Sequence, residues 1–518
     1  MAEIPIIAVL LVIGLLAVVV GITIFSTRFT RTTSDFYVAG EEISVFQNAS
    51  AISGDYLSAA SFLGVAGAVF LNGFDGILYA YGFFLGYVLL LMFIAGQLKK
   101  FGEYTIPDFV EGRFHTKTGR LIAIVCVIMI SLFYAAPQML GVGNVLGLLL
   151  GIPYTAAVIG AGVVITLYVA FGGMKGTTLN QVIQFWVLFT AMGLLTVIAF
   201  GKGFSYSEIL QTLSTRSGEI TLPGGITQMF NGAEWTSPNG WLSFKDTMSL
   251  LIALCFGTAG LPHILVRFYT NPSGAKAKWT VIGVLILIGS FYIISPYVGT
   301  AMRYIMVEKS HLLKEYMANA LAKNGKNLAV PISAFIFGGQ TLLGITIAGA
   351  VAAVLSTVSG LLMSLTSALG HDLYTSLINP DASEEQQVKV AKGSTLIMGA
   401  IVTTLGVAVQ GQQIAVLVGL AFALAASTFF PILALGIWWK RATTKGAIAG
   451  MLTGLLSSFI LIFLKDAFPP ILQFNNPAML TMALAIVVNV GVSLVDGKIP
   501  ADVNDFMELV HGPEEEAA

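Results

Sequence analysis

Thirteen apolar runs, each close to the length that crosses a bilayer, dominate this chain: about 4–26, 46–71, 75–98, 120–150, 154–171, 179–200, 247–268, 279–306, 332–369, 388–409, 413–438, 446–464 and 477–496. A spanning helix needs ~20 predominantly apolar residues. In hydrocarbon every backbone polar group must be satisfied within the structure, which favours helices. The expectation is an all-α integral membrane protein of about thirteen helices. The low charge agrees, since 10% of the 518 residues are charged against ~25% in a soluble domain. A net charge of -1 gives no hint of nucleic acid. Cys126 and Cys255 lie in apolar runs, with neither metal spacing nor a disulfide framework. The run 4–26 lacks a basic leader region and an A-x-A-like site, so it reads as a true helix rather than a cleaved signal.

Between the runs lie polar loops marked by Gly or Pro. Two are long, 202–246 and 303–331, and no sizeable cytosolic domain is expected. The tail "GPEEEAA" reads as disordered. With the N-terminus outside, the inside loops hold seventeen Lys and Arg, including Arg28, Arg31, Lys99, Lys100 and Arg267. The outside holds nine, eight of them in the two long loops, where charge bias counts least. The short loops therefore favour an N-terminus outside and a C-terminus in the cytoplasm.

Two runs carry signs of interruption. "SAISGDYLSAASFLG" (50–64) has Gly54 and Asp55 side by side, followed by Ser58 and Ser61. "FGTAGLPHIL" (256–265) has Gly257, Gly260 and Pro262. Runs two to six and seven to eleven each form a set of five, and each set opens on one of these segments. Paired interruptions in corresponding halves point to a transport site at the bilayer midplane. Unwound backbone offers carbonyls to a cation, and the next half-helix offers N–H groups to an anion. Many of the 56 glycines need no reason beyond close helix packing. Asp55 lies deep in its run, where an ionisable group is costly and usually functional. It can ligate or attract a cation, carry a proton, or cap the second half-helix.

"YVAFGGMKGTTLNQVIQ" (168–184) and "AAVLSTVSGLLMSLTSALGHDLY" (352–374) resemble the two signatures of the sodium/solute symporter family. "GDYLSAASFLG" and "FGTAGLPHILVRFYT" (256–270) are similar to its bacterial acetate and short-monocarboxylate permeases. The likeness runs from about residue 34 to about 450. It implies a LeuT-like five-plus-five inverted repeat with one extra N-terminal helix and two extra C-terminal helices. Its divisions would be 1–45, extra helix and inner loop; 46–438, ten-helix transport core; 439–497, two further helices; and 498–518, cytoplasmic tail. It also implies sodium-driven uptake of a short monocarboxylate such as acetate across the bacterial cytoplasmic membrane, with sodium as coupling ion and no organic cofactor. Proline, a sugar or pantothenate is the alternative substrate.

By the family's pattern, Ser356 and Thr357 match its pair of hydroxyl sodium ligands, joined by the carbonyls of Gly54, Leu57 and Ala353. A hard cation takes such oxygens without needing a carboxylate. His263 aligns with a gate position of sugar-transporting relatives; a core His on a carbonyl freed by Pro262 is the plainer reading. Ser58, Ser61 and Thr258 stand as substrate hydroxyls by position. Gln138, after Pro137, is a polar group at depth that serves substrate or helix contacts equally well. Some relatives carry an Asp where this chain has Gln181, which favours one sodium per substrate.

The plain readings cover the rest. The hydroxyls of Ser364 and Ser367 would bond their own helix or a neighbour. Residues 101–114 would form an inner loop with a short interfacial helix, and His371 and Asp372 would make helix-end contacts. No unpaired Arg or Lys sits at mid-membrane to fix a carboxylate. An intramembrane hydrolase would need a Ser–His or carboxylate pair at depth, and Asp55 has no acidic twin there. A sensor would need an output domain. A channel shares the span count but does not concentrate its solute.

Overall fold

The structure, a computed structural model, describes residues 6–26, 36–37, 43–102, 105–271 and 273–512, the side chains of 322–326 excepted. Arg28, Arg31 and the tail from residue 513 lie outside the described residues. Among the described residues, eleven helices are long and apolar enough to cross a membrane, and one pair bent by 61° makes a twelfth candidate. In chain order they are α1 (Ile6–Ser26), α2 (Val45–Tyr56) bent onto α3 (Val65–Asn72) through a π turn at Ala60–Gly64, α4 (Phe74–Phe93) and α5 (Lys117–Leu150). There follow α6 (Tyr154–Gly201), α7 (Phe244–Thr258), whose span continues through an interruption to Thr270, α8 (Gly274–Glu308) and α9 (Glu315–Ser367). Last come α10 (Glu384–Ala408), α11 (Ile414–Trp438), α12 (Thr444–Phe463) and α13 (Ala478–Asp496).

Helix α6 has 48 residues, about 72 Å at 1.5 Å per residue, more than twice the hydrocarbon thickness. It turns at Gly173, whose φ of 56° and ψ of -160° no helix contains. Runs 154–171 and 179–200 are its two arms. Thirteen spans are reached only by counting α6 twice.

Burial sorts the helices. In their most apolar stretches α1 and α13 are 28% buried, whereas α7 and α11 are 78% and α9 is 83% buried. The first two turn large residues such as Ile6 and Val487 outward; the others form the interior. Helix α9 packs along α6 and α5 and against α3, and α7 lies between α11 and α4.

The two long loops are more structured than expected. Residues 202–246 hold a helix at Tyr206–Thr215 and an antiparallel hairpin of Ser217–Leu222 with Ile226–Asn231. Most of 303–331 is helical, because α8 runs to Glu308 and α9 starts at Glu315. The charges of these extensions hid them from a search for apolar runs. Ile106–Phe114 opens on a capping box of Thr105 and Asp108, as expected for a short helix, but buries Phe109, Val110 and Arg113 in protein rather than lying on lipid. Val503–His511 folds back over it, with Phe506 against Phe101 and Phe109.

One contact fixes the opposite end of the bundle. Asp75, in the first turn of α4, is fully buried and accepts the N–H groups of Asn239, Trp241 and Leu242 at 2.9, 2.7 and 2.9 Å. Gly73 before it has a φ of 59°, and a Cβ there would strike the carbonyl of Trp235. An acid at a helix N-terminus is also favoured by the helix dipole. Asp75→Ala strands three donors, each costing ~1–3 kcal/mol. The expected outcome is a lower melting temperature in detergent and new protease cleavage within 236–243; an unchanged melt and digest would show that the contact is dispensable.

Candidate functional site

Helix α2 begins at a capping box of Ser44 and Gln47 and continues through Gly54 and Asp55 to Tyr56. The interruption therefore lies at Leu57–Ala59, not at Gly54 as the sequence suggested. Gly54 has another task. A Cβ there would come within 2.7 Å of the Gln181 carbonyl and 3.1 Å of Phe185 Cβ, so its absence lets α2 lie directly on α6. The missing side chain matters for approach, not for flexibility.

At this end of α2 the carbonyls meet hydroxyls of α9. Ser356 Oγ donates to Gly54 O at 2.5 Å and lies 3.0 Å from Ala353 O. Thr357 Oγ1 donates to Asp55 O at 2.5 Å. Of the five expected cation ligands, Ser356 Oγ thus meets the carbonyls of Gly54 and Ala353, while Thr357 Oγ1 meets Asp55 O beside them. Leu57 is not brought in: among the described residues no hydroxyl reaches its carbonyl, and Thr357 donates to Asp55 O instead. Leu57 instead ends the helix, its N–H on Ser53 O at 2.8 Å. All these groups are buried. With the two hydroxyl protons rotated away, a cation there would meet oxygen lone pairs alone.

The Asp55 side chain does not cap the following half-helix. That work falls to two residues expected to face substrate: Ser58 Oγ accepts Ala60 N–H at 3.1 Å, and Gln138 Oε1 accepts Ala59 N–H at 2.8 Å. The Asp55 carboxylate lies against Gly360, where any Cβ would overlap both its oxygens. Its Oδ2 is 3.5 Å from Arg267 Nε, a charge contact outside hydrogen-bond geometry. Both side chains are completely buried. The rest of the Arg267 guanidinium donates to Thr178 Oγ1 at 2.6 Å and to Gln181 Oε1. Gln181 Nε2 in turn donates to Ser356 O at 2.8 Å.

Arg267 was missed. Counted as a charge of an inner loop, it is a core residue in the 3-10 turn Val266–Thr270 just beyond the second interruption. A usable signal was present: Asp55 is the one charge in run 46–71 and Arg267 the one charge in run 247–268.

The remaining candidates line the two interruptions with unequal freedom. Thr258 Oγ1 is 2.6 Å from Tyr56 OH and donates to Leu254 O, and Ser61 Oγ is 2.8 Å from Tyr292 OH. These hydroxyls already have protein partners. His263 is fully buried with neither ring nitrogen hydrogen-bonded, so the expected bond to a freed carbonyl is not made. Gln138 Nε2 likewise has no partner. Tyr134, not singled out before, links them: its ring packs edge-on to His263 at 5.3 Å and its OH is 3.4 Å from Ser58 Oγ.

The comparisons with known proteins agree with this architecture. A model of the sodium:solute symporter family matches residues 36–454. The chain is 36% identical over 490 residues to the symporter YwcA of Bacillus subtilis strain 168, covering 92% of each protein. It is 34% identical over 493 residues to a monocarboxylic acid transporter of Corynebacterium glutamicum, covering 89% of this chain and 86% of that one. A substrate-bound, outward-open Na+-coupled sialic acid symporter superposes with a TM-score of 0.77 over 94% of this chain and 98% of its own, at 19% identity, which speaks to the fold.

The buried pair makes its own prediction. Arg267→Ala leaves Asp55 as an uncompensated buried charge, a loss of ~3–5 kcal/mol. The double variant Asp55→Asn with Arg267→Gln should recover most of that stability without recovering the charges. Thermal melts in detergent check this; a double variant no more stable than Arg267→Ala would mean that the two side chains are not coupled.

Proposed function

The chain belongs to the sodium:solute symporter family, and from that premise we propose that it takes up a short monocarboxylate such as acetate, coupled to inward sodium, across the cytoplasmic membrane. The observation that carries the sodium half is the meeting of Ser356 and Thr357 with the carbonyls of Gly54, Asp55 and Ala353 at 2.5–3.0 Å. Sodium enters by turning two hydroxyl protons away and bridging α2 to α9 through the same oxygens. One sodium accompanies each substrate, since Gln181 offers an amide already engaged with Arg267 and Ser356. The N-terminus faces outward, as the Lys and Arg bias of the short loops favours.

The substrate half is supported by the relative named as a monocarboxylic acid transporter and by the donors left free at the interruptions. A carboxylate there accepts hydrogen bonds from His263 and Gln138 Nε2, two of the buried polar groups without partners among the described residues. Ser58, Ser61 and Thr258 line the path, and exchange their present partners only when substrate enters. Asp55 acts through its charge: with Arg267 beside it, it keeps the region of the sodium oxygens from being net positive.

Two measurements test this reading. Labelled acetate, propionate, pyruvate and proline are offered to proteoliposomes with and without an inward sodium gradient. Concentrative uptake of the monocarboxylates with sodium is expected; proline alone, or equal uptake in choline with a proton gradient, would sink it. Ser356→Ala and Thr357→Ala should each raise the half-saturating sodium concentration roughly 5- to 150-fold, corresponding to ~1–3 kcal/mol for a lost oxygen ligand by analogy with an unmade buried hydrogen bond. Unchanged sodium curves in both variants would remove the site.

A further inference from the structure

Helix α9 carries more hydroxyls than the sodium oxygens use. Ser356, Gly360, Ser364 and Ser367 follow at helical spacing and lie on one face. Ser356 and Ser367 are about 16 Å apart along the axis. Ser367 is buried at 3% exposure, yet its Oγ bonds neither its own helix nor a neighbour, contrary to the plain reading of such a serine. It lines a cavity of about 10 Å³ for the centre of a water-sized sphere, together with Thr105, Ser364, Asp372 and, from beyond the second interruption, Pro262 and Val266. That volume is near the least that holds one water.

Asp372 gives the cavity a charge. An unbroken α-helix would set it about 140° round from Ser367, but the chain widens to a π-helix at Ala368–Ile378, and both residues face the same space. Its Oδ1 accepts from Thr105 Oγ1 at 2.7 Å and lies 3.0 Å from His371 Nδ1. Its Oδ2 has no partner, although the residue is 1% exposed. The neighbouring Asp108 is held by Arg120 at 2.5 Å, so the spare carboxylate oxygen belongs to Asp372. A buried carboxylate oxygen left unpaired is costly, and a carboxylate with hydroxyls is an oxygen set suited to a hard cation.

We propose that Asp372 Oδ2 and the hydroxyls of Ser364 and Ser367 form a second sodium station, on the cytoplasmic exit path of the ion held by Ser356 and Thr357. Its direction rests on the sodium-coupled reading above. An ion leaving the first site passes down one face of α9 and is held by the carboxylate before it meets the cytoplasm. Sodium on the cytoplasmic side then reaches this station first, and inhibits uptake from there.

The test uses full-length protein in proteoliposomes of fixed orientation, with whichever of the four labelled solutes above is best taken up. Uptake is titrated with outside sodium and, at saturating outside sodium, with inside sodium. Asp372→Asn and Ser367→Ala are expected to raise the half-inhibiting inside concentration by about fivefold or more, roughly 1 kcal/mol, with the half-saturating outside concentration nearly unchanged. Equal shifts on both sides, or no shift on either, overturn the station. If Asp372→Asn does not fold, Ser367→Ala decides. If wild-type uptake ignores sodium, the coupling reading fails instead, and the station is decided by binding of 22Na+ to purified protein: weaker binding in Ser367→Ala supports it, and an unchanged binding curve overturns it.

Discussion

The contact between Asp55 and Arg267 is the constraint on which the centre of this protein turns. Two opposite charges 3.5 Å apart, each fully buried, are tolerable only together, because removing either leaves the other desolvated and unpaired. One comes from the end of α2 and the other from just beyond the second interruption. Arg267 also donates into α6 through Thr178 and Gln181, and Gln181 passes the connection to α9 at Ser356. Four elements are therefore positioned by one guanidinium. Gly54 and Gly360 make this possible, one by letting α2 approach α6 and the other by leaving room for the carboxylate.

Around that pair the polar groups divide their work. Ser58 and Gln138 satisfy the N–H groups exposed by the interruption, which frees Asp55 from capping. Ser356 and Thr357 satisfy the carbonyls at the end of α2. These bonds hold α2 against α9 in one arrangement, and a cation that takes over the same oxygens holds it in that arrangement too. His263 and the Gln138 amide nitrogen are left over. Buried donors without acceptors are uncommon in proteins, and these two lie one beside each interruption.

Much of this was legible in the chain. The apolar runs and the paired interruptions led to the fold, since these features are local or periodic, and the family resemblance pointed to Ser356 and the Gly54 and Ala353 carbonyls that meet it. What escaped was long-range. Arg267, at the very end of run 247–268, counts by sequence with the inner loop, and only its contact with a residue more than two hundred positions away shows it to be part of the core. The place of the break at Leu57–Ala59 was misread because a glycine beside an acid suggests unwinding, whereas here Gly54 answers to the surface of α6. The extensions of α8 and α9 beyond the apolar runs escaped because charged turns past the bilayer carry no hydropathy signal. The freedom of Ser367 depends on what lies across from it, which no single-chain pattern records.

The opposite signs of Asp55 and Arg267 have a consequence for the electrical behaviour of the molecule. A lone buried charge carried through the full membrane field involves ~2.3 kcal/mol of work per 100 mV, enough to bias any rearrangement that moves it. A carboxylate and a guanidinium in contact move as a dipole. Their contributions to displaced charge cancel except for the small component of their separation along the field. Rearrangements that carry the two together therefore gain little voltage sensitivity from this pair.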